Sequence, residues 1–408
     1  MKNTLKILLF CTLFAACDKN ENETTVKTPP INIELNATEI QLNNVTKNFA
    51  LDFFATSYSE NTDKENIVLS PFSLSMALAM LLNGADTETE QAIRTTMAFD
   101  SYSFSQVNEY FKKIWEALYK TDKSTTLAIA NSIWTDKGFP VKQSFYDVNK
   151  NWYNAEAKEL DFNSPSAVGT INKWCSDNTN GLIKKIINEL SGKMYLLNAL
   201  YFKGIWAEGY LFETNETKPL PFYKADGTSV SVNMMHQKKG MKYYSDDHLS
   251  LASLPYGNGA FSMLFILPNN GVMLDEVVVQ LKTPGYFETI INNSHSGSVE
   301  LFVPRFKIEY ETSLKSTLES LGMGIAFDSN LADFSKLTDV PFFVTMVKQK
   351  AYIEVNEKGT EAAAVTVVGL ETSIGGYNQF KADHPFLFMI QENSTGTVLF
   401  MGKVGNPQ

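Results

Sequence analysis

Nine residues, Met194 to Phe202, restrict the fold of this chain more than any other stretch. They read Met-Tyr-Leu-Leu-Asn-Ala-Leu-Tyr-Phe, an almost continuous apolar run. A strand with one face in water alternates apolar and polar side chains, whereas a continuous run marks a strand covered on both faces. The chain must therefore place a layer on either side of a sheet. Before Lys193 the apolar residues recur at helical spacing. They do so at Phe49, Ala50, Phe53 and Phe54, at Phe72 to Leu82 behind Ser70-Pro71, and at Phe111, Ile114, Trp115 and Leu118 within Val107 to Leu118. Thr87 and Glu90 read as a capping box for a further helix. Phe145 to Ala155 and Ala167 to Asn178 read as helices, and Leu127 to Trp134 as a strand. After Lys193, strands are expected at 228–236, 241–244, 249–255, 260–267, 298–303 and 342–356, with one helix, Leu314 to Leu321, among them. Phe386 to Ile390 and Val398 to Met401 close the chain around a turn at Asn393 to Gly396. Helices early and strands late argue an α+β class.

The first 17 residues stand apart. Lys2 and Lys6 flank the start of an apolar run, Ile7 to Ala16, and small residues precede Cys17, which is the pattern of a secretory leader. The run is too short to span a bilayer as a helix. Leu13-Phe14-Ala15-Ala16-Cys17 resembles a bacterial lipobox, with Phe14 where Leu is usual. Residues 1–16 are then a signal peptide and Cys17 the lipidated start of the mature chain. Residues 17–37 read as a flexible tether with Pro29-Pro30. Within it, Asp18, Glu21 and Glu23 resemble the surface-export signals of some Bacteroidetes lipoproteins, or serve as a solvated linker. Residues 38–408 read as one domain. The expected location is extracytoplasmic, anchored to the outer membrane, with the cell surface as one address.

Several chemistries are disfavoured. The formal charge is −10 and no basic cluster occurs, so no nucleic-acid partner is expected. There is no G-x-S-x-G elbow, H-E-x-x-H, C-x-x-C or Walker loop. His236, His248, His295 and His384 lack metal-ligand spacing, and neither metal nor cofactor is expected. His384 reads as a hydrogen-bonded structural histidine rather than half of a catalytic pair, and Asp246-Asp247 as a turn rather than a calcium site. Cys175 is the only cysteine outside the leader, so the mature fold has no internal disulfide, and its helical context reads as packing. A large extracytoplasmic chain without a catalytic motif suggests a binder or inhibitor more than an enzyme.

One stretch carries contradictory preferences. Ala351 to Asn356 alternates as a strand. In the following Glu357 to Val368, Ala362, Ala363 and Ala364 favour helix, Val365, Val367 and Val368 favour strand, and Gly359 favours neither. Such a segment specifies its own structure weakly, as expected where two conformations are needed.

Five stretches, in order, resemble the serpin family over residues 38–406. They are Ile67-Val68-Leu69-Ser70-Pro71-Phe72-Ser73-Leu74, Asn198 to Trp206, Ala332-Asp333-Phe334-Ser335, Glu357 to Thr366, and Ala382-Asp383-His384-Pro385-Phe386-Leu387-Phe388. The resemblance implies an α+β serpin fold with three β-sheets, about nine helices and an exposed reactive-centre loop near 359–380. It implies a monomer that inhibits serine proteases as a suicide substrate. The cut loop enters the main sheet as a new strand and distorts the acyl-enzyme. By motif, Glu357, Gly359, Thr360, Glu361, Ala362, Ala363, Ala364 and Thr366 are the hinge. Glu357, Arg305 (where the family usually has Lys) and Trp206 are the breach where the sheet first opens. Ser70, Ser73 and Asn198 are the shutter, with Gln349 at the family's histidine position. Gln donates and accepts but does not titrate.

The hinge residues suit that mechanism. In an extended chain Thr360, Ala362, Ala364, Thr366 and Val368 share one face, and none is charged. That face enters a core without stranding a charge. Seventeen residues counted from Glu357 place the scissile bond at Ser373-Ile374, and counting back from Pro385-Phe386 lands about one residue later, leaving Thr372 and Ile374 open. No Arg or Lys lies between Gly359 and Phe380, so elastase-like or subtilisin-like enzymes fit better than trypsin-like ones. Leu370 offers a second site for chymotrypsin-like enzymes. The competing readings are a non-inhibitory serpin serving as a binding module or protease substrate, a surface glycan- or nutrient-binding lipoprotein, and, least favoured, a hydrolase.

Overall fold

The computed structural model describes residues 28–360 and 377–408. The leader with Cys17, and the loop positions Glu361, Ala362, Ala363, Ala364, Thr366, Leu370, Thr372, Ser373 and Ile374, lie outside the described residues.

The first half is mainly helical: α1 (Ala37–Glu60), β1 (Asn66–Leu69), α2 (Pro71–Leu82), α3 (Thr87–Thr96), α4 (Phe104–Thr121), β2 (Thr126–Asp136), α5 (Gln143–Tyr153), β3 (Glu156–Leu160) and α6 (Ala167–Asn178). Asn36 caps α1 in a reciprocal box with Glu39. Helix α2 starts on the Ser70 cap with Pro71 in its first turn and buries every residue except Ala77, as an all-round apolar helix must. Helix α3 is capped by Asp86 rather than by Thr87, whose hydroxyl instead donates to Asp333 at 2.9 Å. The segment expected to be a free tether is packed towards its end. Ile33 is buried, and its N–H donates to Ser394 Oγ at 2.9 Å.

The second half is mainly strand: β4 (Met194–Ile205), β5 (Lys218–Tyr223), β6 (Ser229–Ser245), β7 (Leu249–Tyr256), β8 (Phe261–Pro268), α7 (Leu274–Leu281), α8 (Tyr286–Asn293), β9 (His295–Pro304), β10 (Phe306–Ser313), α9 (Lys315–Leu318), β11 (Lys348–Asn356), β12 (Gly359–Thr360), β13 (Asn378–Lys381), β14 (Phe386–Glu392) and β15 (Val398–Val404). The runs 228–236 and 241–244 are one strand, β6, because Gly240 keeps its place in the ladder opposite Ser298. The helix expected over Leu314 to Leu321 widens after Leu318 over Glu319–Met323 and tightens from Gly324, and Gly322 leaves helical geometry at φ +112°. The strand expected from 342 begins only at Lys348.

Two hydrogen-bonded ladders result. The smaller runs β10-β11-β12-β4-β2-β3, and the larger has nine strands, β1-β15-β14-β8-β7-β6-β9-β13 with β5 on β6. Of the three sheets the resemblance implies, two are continuous in hydrogen bonding because the 17-residue β6 serves both. Strand β4 is covered on both faces, as its composition requires. Tyr195, Leu197 and Ala199 pack in a cluster with Trp134, Ile171, Trp174 and Cys175 around α6, while Met194, Leu200 and Phe202 join the main core. Cys175 is fully buried there, and burial pushes its thiol up to about 12, so it is inert packing.

Candidate functional site

The described start of the segment with contradictory preferences, Glu357 to Thr360, ends within the six-stranded sheet. Gly359 and Thr360 lie between β11 and β4, with Thr360 opposite Val355 on one side and Gly204 on the other. Among the described residues, this two-residue rung is the only backbone pairing that connects β11 to β4. Thr360 is 2 % exposed, and its hydroxyl lies 2.7 Å from Tyr256 Oη. Gly359 sits at φ +142°, and a Cβ built there would come 2.1 Å from the Gly204 carbonyl oxygen. Glycine is needed here for both torsion and space.

Around this rung the expected breach residues meet. Trp206 N–H donates to the Lys358 carbonyl at 2.8 Å and its indole Nε1 to the Asn356 carbonyl at 2.9 Å. Its ring stacks on Tyr256 at 4.5 Å between centroids. Glu357 is 5 % exposed and accepts on one oxygen from Arg305 Nε at 2.6 Å, Arg305 Nη2 at 2.5 Å and Thr217 Oγ1 at 2.6 Å. Burial acts to raise the Glu357 pKa, but the donors from Arg305 and Thr217 outweigh it and hold the carboxyl below its ordinary value. Arginine in place of the usual lysine supplies two donors from one planar group. Tyr256, Thr217 and Phe212, whose N–H donates to the Glu357 carbonyl at 2.9 Å, escaped the sequence reading. Each comes from a distant segment and belongs to no recognisable motif.

Halfway down, Gln349 is buried and spans the backbone of Ser70. Its Nε2 donates to the Ser70 carbonyl at 2.9 Å and its Oε1 accepts from Ser70 N–H at 2.8 Å. Ser70 Oγ donates to the Leu399 carbonyl at 2.8 Å. Ser73 Oγ donates to Asn198 Oδ1, and Asn198 Nδ2 donates to Asn131 Oδ1 at 2.6 Å. Asn131 is a further member that sequence reasoning missed. The four expected shutter residues are thus brought together, Asn198 on β4 and Gln349 on β11 with Ser70 and Ser73 at the start of α2, and all are satisfied by neutral groups. Lower still, Ala77, Leu78, Leu81, Met194, Leu196, Phe342, Val344 and Val347 help line an apolar cavity of about 40 Å³.

The decoys behave as structure. His384 lies between Asp383 Oδ1 and the Pro268 carbonyl, each at 3.1 Å. Asp246 accepts from His248 and Leu249 N–H and from the Tyr244 and Tyr286 hydroxyls. Among the described residues, no cluster of His, Cys, Asp or Glu could hold a metal, and no helix is long and apolar enough to cross a membrane.

Comparison with known proteins gives a consistent picture. The family model for "Serpin (serine protease inhibitor)" matches residues 44–407. Leukocyte elastase inhibitor A of Rattus norvegicus is 34 % identical over 383 residues, covering 90 % of this chain and all of the relative. The crystal structure of a thermophilic serpin, tengpin, in the native state superposes with TM-score 0.84 at 31 % identity, covering 93 % of this chain and 97 % of that one. Human thyroxine-binding globulin in complex with thyroxine superposes with TM-score 0.83 at 30 % identity, covering 91 % and 100 %.

Proposed function

The chain belongs to the serpin family, and on that premise we propose that it is an inhibitory serpin acting as a suicide substrate. Its targets are elastase-like or subtilisin-like serine proteases, cleavage falls near Ser373-Ile374, and Thr372 or Leu370 are the neighbouring alternatives. Serpins as a family are protease inhibitors rather than catalysts. The observation that carries the inhibitory reading is the rung at Gly359 and Thr360, the first step of a strand between β11 and β4. Continued in the same register, with each pair summing as Thr360 does with Gly204 and Val355, the incoming strand meets matched neighbours. Ala362 would lie beside Phe202 and Ile353, and Ala364 beside Leu200 and Ala351. Thr366 would fall between Asn198 and Gln349, and Val368 between Leu196 and Val347 at the apolar cavity. Ala362 would thus meet two large side chains and Ala364 one, the hydroxyl would meet the polar pair, and the valine would meet the cavity. A segment that never inserts need not match the slot in this way.

In this mechanism the protease attacks the exposed loop and its serine forms an ester to the new carboxyl end. Insertion carries the ester to the far end of the sheet before water can hydrolyse it, and displacement disorders the protease's oxyanion site. Mixing with an elastase-like protease should give a covalent complex that survives denaturing electrophoresis, with a released C-terminal fragment beginning at or next to Ile374. Nicked protein beside fully active protease would reject the reading. It would favour the second one, a non-inhibitory binding module, which the likeness to a thyroxine-bound globulin keeps in play.

The leader supports attachment through a lipid on Cys17, which would hold the inhibitor outside the cytoplasm on the outer membrane. Wild-type protein should then sediment with membranes and a Cys17→Ser variant should not. Equal partition of the two would rule out the anchor.

A further inference from the structure

A cleft of about 650 Å³ lies between the end of β11 and strand β6. Its walls carry Asn233 on β6, Arg305 and Lys307 at the β9–β10 corner, Glu354 on β11, and Glu357 and Lys358 just beyond it. These side chains bring three cations and two carboxylates together, and they do not satisfy one another. Glu357 takes Arg305 and Thr217 on a single oxygen. Its second oxygen receives no hydrogen bond from another residue among those described, although the side chain is nearly fully buried. Glu354 accepts from the Tyr352 hydroxyl at 2.6 Å, but Lys307 stands 3.8 Å away, beyond hydrogen-bond reach. Lys358 has no ion pair among the described residues. A carboxylate accepts on both oxygens and an ammonium donates in several directions, so capacity of both signs is left over in one cleft.

Spare acceptors beside spare donors select a ligand. A plain anion is repelled by Glu354 and Glu357, and a plain cation by Lys307 and Lys358. An apolar molecule leaves the buried Glu357 oxygen without a donor. A zwitterion answers both signs. We propose that the cleft binds a small zwitterion, an α-amino acid or a dipeptide. Its ammonium donates to Glu354 and to the second oxygen of Glu357. Its carboxylate accepts from Lys307 and Lys358, and Asn233, which both donates and accepts, holds the part between. Charge-assisted hydrogen bonds of this kind are the strong ones, and the volume is that of an ordinary small-molecule site. The site does not rest on the inhibitory reading.

Calorimetric titration of the full chain, without protease, is the test, with diglycine as the probe. N-acetylglycine keeps only the carboxylate of that probe and glycinamide only the ammonium. All three are compared at one ionic strength, because salt screens such charges. Diglycine should bind at least about tenfold tighter than either half-ligand, since each of these lacks one set of charge-assisted hydrogen bonds. Lys358→Gln should weaken diglycine binding about tenfold. Equal binding of either half-ligand would overturn the proposal, as would undiminished binding by the variant or no diglycine binding at about 10 mM. Lys358 meets the rest of the fold through its backbone, which bonds to Trp206 and Asn356, so the variant should fold. If it does not, the three probes on the wild type decide alone. Failure to trap a protease with diglycine binding intact would count against the inhibitory reading and leave this site standing.

Discussion

Thr360→Arg should abolish the denaturation-resistant complex and raise the number of inhibitor molecules consumed per protease molecule inactivated by more than tenfold. Thr360 is buried to 2 % exposure between Val355 and Gly204, and its hydroxyl is bonded to that of Tyr256. Among the described residues that pair with Thr360, a guanidinium there meets two strands and an aromatic hydroxyl, none of which offers it a carboxylate. Burying an unpaired charge costs several kcal/mol, and each 1.4 kcal/mol added to a barrier slows a step tenfold. Insertion then loses its race against deacylation and the protease leaves active. The chain should still fold, because the hinge has the alternative of staying outside. Thr360→Val keeps the shape and removes only the hydroxyl contact, a loss of about 1 kcal/mol, so it should retain most of the trapping. Complex yield at graded ratios on a denaturing gel separates the two variants. Undiminished trapping by Thr360→Arg would reject the assigned insertion face.

Gly359→Ala should have nearly as large an effect through sterics alone. One added carbon would stand 2.1 Å from the Gly204 oxygen and 2.8 Å from Ile205 Cα, and both neighbours are backbone that cannot swing aside. The φ of +142° adds strain for any residue with a side chain. Cleaved wild-type protein should gain heat stability when the new strand completes the sheet, whereas cleaved Gly359→Ala should gain little. Differential scanning before and after nicking measures this. Equal gains in both proteins would show that the strand enters without passing through the geometry seen at Gly359.

The parts of this fold that were legible in the sequence are those where local pattern and tertiary role agree. Strand β4 declared its two-sided burial through composition. The hidden parts depend on partners far away in the chain. Strand β3, Glu-Ala-Lys-Glu-Leu, is charged and mostly exposed and is a strand only because β2 pairs with it in parallel. Strand β5 contains Pro219 and Pro221, tolerated because its one partner is β6. Gln349 was expected to donate and accept, but its partner is the Ser70 backbone, which no side-chain motif advertises. Thr87 looked like a cap because Glu90 follows at the right distance, yet Asp86 accepts the Thr87 N–H at 2.9 Å instead.

The rung at Gly359 and Thr360 also bears on timing. Strand growth between two neighbours resembles a nucleated polymerisation, in which the first pair is slow because it closes a loop with little to compensate for the lost freedom. Here that first pair exists before any protease arrives. On the proposed mechanism, cleavage would therefore start elongation and not nucleation. The lag that would otherwise separate the cut from the capture would then be missing, and the outcome of the proposed mechanism would turn on elongation speed against the lifetime of a single ester bond.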